Sequence, residues 1–537
     1  MKGRPMTSRF KLLVWTFAFF GLALAHLATI HGQSASGSTP RQLINVLDYG
    51  AKNDASALST GAFRAAIQAA KAAGGGTVYV PPGKYLSGPI ELFSNMTFDV
   101  DAGATIEFPV APIPFEKTRY LGVEALAPMA LIGGRDVENV TITGRGILTT
   151  GDYDDWGKAY GPPSAASDKS ENANGPHWDH LLKSLESGQT VSEAESLAAA
   201  AELRPSFVYF VRSKNVLVEN IRIVRAPMFV VHLLYSENAT VRNVMIEANP
   251  GPHANGIVVD SSRFVRISDS YIDTGDDGIV IKSGKDADGL RVDRPSEDVT
   301  ITNCTVHHAH GAVVIGSETS GGIRNVVASN ITAVDTENGI RIKSRRGRGG
   351  VVEDIRFDNW TMENVGTGIV VTSYYVMGGE GTTAEEPVSR KTPVFRNIAI
   401  SNVTISHATR AVANIEGLPE MPIATLRLTD ILGSGKSGVI GTYTDAMEMH
   451  HMQVNAERGP AFAIDAATNL ELDDVTTRMP VKGSPVIQLE NSPGSILRDS
   501  RAFPGTGTFL STAPDELKNV HLAGNILDNA MVPAEER

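Results

Sequence analysis

The 537-residue sequence holds a single cysteine, Cys304, so no intrachain disulfide can form and a large fold must rest on its own core. Aromatic residues are sparse at 6%, and cations are outnumbered: 48 Lys and Arg stand against 60 Asp and Glu, a net charge of −12. A generic nucleic-acid binder is basic, which argues against that class. An apolar content of 42% excludes a disordered chain. The apolar run Leu12–Ala25 is well short of the roughly 20 residues that span a bilayer. It follows Lys2, Arg4, Arg9 and Lys11, carries the small-x-small motif Ala23-Leu24-Ala25, and precedes the polar stretch Gly32–Thr39. Residues 1–25 therefore read as a signal peptide and 26–42 as a flexible linker. The expected product is secreted or periplasmic, without stable membrane insertion after cleavage. An uncleaved anchor is the alternative, because Leu27–Ile30 prolong the apolar stretch.

What is plentiful is repetition. Segments beginning at Asn139, Asn215, Asn238, Phe264, Asp298, Asn325, Asp354 and Asn397 each alternate β-branched and polar residues. Most carry Asn, Asp or Gly five positions on. A strand with an apolar face one or two side chains wide cannot bury itself alone. Stacking successive coils in register buries a continuous core and satisfies the backbone ladders above and below. A 3.6-residue period is missing, so helical repeats are excluded. The expected fold is all-β, a single-stranded right-handed parallel β-helix over 43–537, with C-terminal coils at about 395–537. A β-propeller is the weaker rival, since its blades need four strands in roughly 40–45 residues. Cys304 falls inside an apolar strand pattern and reads as core filler.

Two stretches break the repeat. Residues 60–74 are Ala-rich and amphipathic, with Ser59 or Thr60 as cap, and are expected to form a helix plugging the N-terminal end of the stack. Residues 153–204 read as a helical insertion on one rim. Asn-x-Ser/Thr triplets at Asn95, Asn139, Asn238, Asn303, Asn330, Asn359 and Asn402 mostly recur inside the strands, so they read as coil architecture rather than glycan sites.

In such a stack, residues one coil apart lie about 4.8 Å above one another. Asn255 precedes Asp276 by 21 residues, while His310 and Arg341 follow it by 34 and 65, spacings close to one coil back, one forward and two forward. Stacking would gather Asp276, Asp277, His310, Arg341 and Lys343 on one surface. Paired carboxylates suit glycoside hydrolysis, one protonating the leaving oxygen and the other activating water or attacking directly. Repulsion between Asp276 and Asp277 should raise one pKa and keep an acid protonated. Arg341 and Lys343 share a strand face by i,i+2 spacing and could hold a substrate carboxylate. Singly, each feature has a plainer explanation: a turn, a bystander loop histidine, a solvated strand face. The HHAH cluster around His310 has no clear metal-ligand spacing.

Five segments together resemble the polygalacturonase family of glycoside hydrolases (family 28), bacterial type. They are VLDYGAKNDA at 46–55, GGGTVYVPPGKYLSGPIEL at 74–92, YIDTGDDGIVIKSGKDADG at 271–289, AHGAVVIGSETSGGIRNV at 309–326 and GIRIKSRRGRGG at 339–350. The resemblance implies a secreted β-helical enzyme, expected to be monomeric. It would hydrolyse pectic galacturonide links with inversion, on an anionic polysaccharide or oligosaccharide and without metal or other cofactor. It implies Asp276 as general acid, Asp277 as the water-activating carboxylate, His310 beside the acid, Arg341 and Lys343 as substrate-carboxylate ligands, and Tyr375 as a subsite tyrosine. Long rim insertions resemble those that close the cleft of exo-acting members. The chain departs from the family where NTDGID becomes HANGIV at 253–258, so that Asn255 and Val258 replace carboxylates. An amide can hold water but cannot take its proton, leaving base duty to Asp277 and Asn255 as a substrate- or water-binding residue. Two other classes follow: a non-catalytic pectic-oligosaccharide binder, and a calcium-dependent lyase using Asp276 and Asp277.

Overall fold

The alternating pattern does what its geometry demands: every second side chain turns inward and its neighbours turn out. The computed structural model describes residues 42–160, 175–375 and 384–537. The expected signal peptide and all but the last residue of the linker lie outside these, as do 161–174 of the insertion. From Leu43–Asn45 to Val532–Glu536, 35 strands join one parallel sheet wound as a right-handed β-helix. A typical turn runs Ile257–Asp260, Arg263–Ser268 and Tyr271–Asp273, and the chain then starts the next coil at Ile279–Lys282. Ile257 pairs with Ile279, Ile279 with Val313 and Val313 with Ile340, so one column of inward aliphatic residues continues through successive coils, all fully buried.

The recurring asparagines occupy corners. Asn139, Asn215 and Asn238 have φ of +58°, +52° and +55°, a left-handed conformation that Asn tolerates better than other side-chain-bearing residues. Their amides stack, Asn215 donating to Asn139 at 2.9 Å and Asn238 to Asn215 at 2.6 Å. A second ladder joins Asn303, Asn330 and Asn359 at 3.1 and 2.7 Å. These triplets thus have an architectural reason. Cys304 is buried in the stack opposite Ile331, its thiol pushed up to about 11 by burial.

Thr60–Ala72 forms the N-terminal helix, burying Phe63, Ala66, Ile67 and Ala70 against the first coil. Ser59 is its N-cap by position but makes no capping bond. Its hydroxyl instead accepts from the Lys52 N–H at 2.9 Å, and Thr60 accepts from the Gly88 N–H at 2.7 Å. Tertiary partners outbid the local cap. The insertion holds helices at Tyr153–Tyr160, Pro176–Glu186 and Glu193–Ala200, the last with a Ser192/Glu195 capping box. Unforeseen is an antiparallel hairpin, Phe115–Tyr120 with Val123–Pro128, standing outside the main sheet.

Candidate active site

The site begins with a turn. Between Tyr271–Asp273 and Ile279–Lys282, the Thr274 hydroxyl donates to the Asp276 carbonyl at 2.9 Å, and the Asp277 N–H donates to Asp276 Oδ1 at 2.8 Å. The coils on either side hold the same carboxylate. Asn255 Nδ2 donates to Asp276 Oδ2 at 2.9 Å, and His310 Nδ1 lies 3.3 Å from Oδ1. The His310 N–H donates to the Asp276 carbonyl at 3.1 Å, fixing the register of the two turns.

Asp277 points elsewhere. Its side chain is 2% exposed, its Oδ2 accepts from Lys343 Nζ at 2.9 Å, and Arg341 Nη1 lies 4.0 Å from its Oδ1. That Oδ1 is buried without a hydrogen bond, as is Asn255 Oδ1 on the adjacent coil. Lys343 is nearly buried, whereas Arg341 keeps 19% of its side chain exposed. The Tyr375 ring lies under both cations, 4.9 Å from Lys343 Nζ and 5.5 Å from the Arg341 guanidinium carbon. All seven residues singled out in the sequence therefore fall in one neighbourhood, on five segments spread over 121 positions of the chain from Asn255 to Tyr375.

The electrostatics correct one expectation. The two aspartates do not face each other as repelling carboxylates. Burial favours the neutral form of Asp276, but the hydrogen bond and charge of His310, with Lys343, outweigh it and hold this carboxyl well below the usual range. The same hydrogen bond raises His310 to about 9 against the cost of burial, assisted by Glu337 at 3.8 Å. In the resting site the shared proton sits on the imidazole. Burial and the neighbouring Arg341 lower Lys343, and burial raises the Tyr375 phenol. Both carboxylates are engaged by donors, so the calcium-lyase arrangement, which needs them clustered and free, does not match this geometry.

Three features escaped the sequence reading. His253, pushed down to about 4 by burial, lies 3.4 Å from Arg204 at the end of the insertion, so it faces Asp276 as a neutral ring. Lys282 donates to both Glu318 oxygens at 3.0 and 2.8 Å, an almost buried pair beside the aspartates. Lys282 ends the same apolar strand that begins after GDDG, a position that alternation marks as outward. The third is a wall. Val258, Val280 and Val314 face outward on successive strands, yet all are fully buried. Trp178, Leu181, Ala199 and Leu203 of the insertion cover them, together with Tyr120, Val123 and Ala127 of the hairpin. The Tyr120 and Trp178 rings meet edge-on at 5.5 Å. Val258, where the family pattern has a carboxylate, is apolar because it lies beneath this cover. Arg341 is the next outward residue after Val314, so the wall ends at the site.

Comparison with known proteins matches residues 187–440 to "Glycosyl hydrolases family 28" and residues 43–107 to "Rhamnogalacturonase A/epimerase, pectate lyase-like". A solved exopolygalacturonase from Thermotoga maritima is 33% identical, the alignment covering 78% of this chain and 92% of that one with a TM-score of 0.67. A probable polygalacturonase from Vitis vinifera is 28% identical over 72% of this chain and 73% of its own. The exo-poly-alpha-D-galacturonosidase of Dickeya chrysanthemi is 27% identical over 70% and 64%. The matched segment 187–440 contains all seven residues from Asn255 to Tyr375 that the sequence singled out. This chain belongs to glycosyl hydrolases family 28 and is a glycosidase that hydrolyses glycosidic bonds.

Proposed function

We propose that the protein is an exported hydrolase that removes units from one end of galacturonide chains of the pectin type, with inversion. The observation that carries this reading is the Arg341–Lys343–Tyr375 cluster beside Asp276 and Asp277, hard against a closed wall. A uronate carboxylate matches a guanidinium that is partly exposed and backed by an aromatic ring. Lys343 is engaged by Asp277, which leaves Arg341 as the primary carboxylate ligand and Lys343 as the group that positions Asp277. The relatives' names, exopolygalacturonase and exo-poly-alpha-D-galacturonosidase, support the same substrate class and mode.

In the proposed reaction Asp276 passes a proton to the glycosidic oxygen, drawing it from the proton it shares with His310. Neutralising Arg341 and Lys343 with the substrate carboxylate weakens the positive field that keeps Asp276 ionised, so binding favours moving that proton onto the acid. Asp277 is too buried to bond to a sugar carbon but is fitted to take a proton from water, which supports inversion rather than a covalent intermediate. Asn255 Oδ1 and Asp277 Oδ1, both without hydrogen bonds, supply two acceptors for that water, and only the carboxylate removes its proton.

The test is reducing-end release from polygalacturonate, with binding measured in parallel. Asp276→Asn is expected to lose about 10²–10⁴ in kcat while retaining substrate binding. Wild-type turnover no higher than that of Asp276→Asn, with tight oligogalacturonide binding and activity appearing in Asn255→Asp, would replace the enzyme reading for this substrate with the binding-protein one.

A further inference from the structure

Asp260 is an anomaly in the stack. It occupies an outward position of the same strand as Val258, in register with Leu234 on one side and Lys282 on the other. The outward valines of this strip are buried beneath apolar cover, whereas this buried position, 3% exposed, carries a carboxylate. A buried ion is costly unless it is paired and hydrogen-bonded. On the neighbouring coil His232 Nε2 lies 3.7 Å from Asp260 Oδ2, but the closer partner comes from outside the coils. Arg119 of the hairpin, itself without exposed side-chain surface, reaches the strip and sets Nη1 2.7 Å from Asp260 Oδ1 and 2.7 Å from Ser261 Oγ. Its guanidinium carbon lies 4.7 Å from the Tyr235 ring centre. The Tyr209 hydroxyl clamps the same strand, donating to the Arg119 carbonyl at 3.1 Å and meeting Thr118 Oγ1 at 2.7 Å.

The hairpin tip is fixed toward the reaction centre. Gly122 accepts from the Lys285 N–H at 2.9 Å, and a Cβ at this +84° residue would stand 2.9 Å from the side chains of Glu318 and Lys285. Glu318 is in turn held by Lys282. Behind the hairpin the strip continues as a cavity of about 790 Å³, lined by Lys117, Arg119, Arg135 and Arg212 together with Glu124 and Glu193. The hairpin therefore divides one groove into two. Both matched family segments leave out residues 108–186, which contain it.

We infer that the Arg119–Asp260 pair is the latch that holds the hairpin across the groove and thereby sets end-on cleavage. This rests on the end-acting reading above and names the positioning residues behind it. With the latch broken, the hairpin lifts, the far cavity joins the cleft, and an internal stretch of a polyanionic chain can lie across Asp276. A buried ion pair adds little net stability over apolar residues, so its use here fits specificity better than stabilisation.

The experiment compares the product profile, and the fall in viscosity per reducing end released, on polygalacturonate for full-length wild type, Arg119→Ala, Arg119→Lys and the double variant Arg119→Ala/Asp260→Ala. Turnover of a short galacturonide is followed alongside. Wild type and Arg119→Lys should release end products only. Arg119→Ala should yield a range of oligomers, with viscosity falling about tenfold faster per bond cut, while keeping turnover of the short substrate. The double variant removes the stranded buried charge and so remains informative if Arg119→Ala unfolds; it should also release oligomers. End products alone from a folded Arg119→Ala or double variant would overturn the latch. Random oligomers from the wild type would instead overturn the end-acting reading itself.

Discussion

The strip that carries the site changes character at Arg341. Before it, the outward residues in register are Tyr209, His232, Val258, Val280 and Val314, all buried beneath the hairpin and the insertion helices. After it comes Val370, still buried, and then Asn414, Ile440, Ala463 and Gln488, which are half-buried or exposed, before Ser511 is buried again near the end of the stack. The backbone ladder is the same on both sides. What differs is whether another part of the chain lies over it, and the residue types follow. Covered positions hold Val, an aromatic ring and a histidine, whereas the uncovered ones hold Asn, Ile, Ala and Gln. A uniform solenoid thus becomes a groove with one sealed end because of added cover, with no change in the coils.

That comparison can be broken most directly at Val258. Val258→Asp restores the carboxylate of the family pattern but places it in a buried apolar cluster, next to a Lys282 already paired with Glu318. The expected cost is about 3–5 kcal/mol of stability, read as a lower denaturant midpoint, because an unpaired charge is buried. Unchanged stability would mean that the wall is loosely seated. At the boundary itself, Arg341→Ala should lower kcat/KM on polygalacturonate by roughly 10- to 100-fold, chiefly through KM, as expected for losing charged hydrogen bonds worth about 1.5–3 kcal/mol. An equal loss on a neutral glycoside would show that Arg341 does not read the carboxylate.

The smallest effect concerns pH. His310 holds its proton to about 9 in the fold, against an ordinary value of 6.5. The stabilisation from its pair with Asp276 is therefore complete below pH 6.5 and fades as pH rises through about 9. An alkaline limb near pH 9 should appear in kcat/KM and in the thermal midpoint of the wild type, and both should disappear in His310→Asn.

Much of this was legible in the sequence. Alternation of β-branched residues gave the stack, and the Asn corners marked where each coil bends. Spacings of about one coil placed Asn255, Asp276 and His310 over one another, since strand repeats transmit register along the chain almost without slack. The proton's resting place was not legible. Placing Asp276 beside Asp277 in sequence predicted repulsion, but neighbours along a turn point apart, and cross-coil partners set the charge state instead. Nor was the hairpin 115–128, whose short alternating arms resemble the coils around them.

The sequence by itself determined the coil, its direction and the column on which the chemistry sits, because a two-residue side-chain period and a repeating corner are local properties. Only the tertiary structure decided where the groove ends and that the proton beside Asp276 rests on His310. The first depends on contacts between segments more than a hundred residues apart, such as Arg119 with Asp260, and the second on side chains one coil away. Their burial and pairing energies leave no periodic trace along the chain.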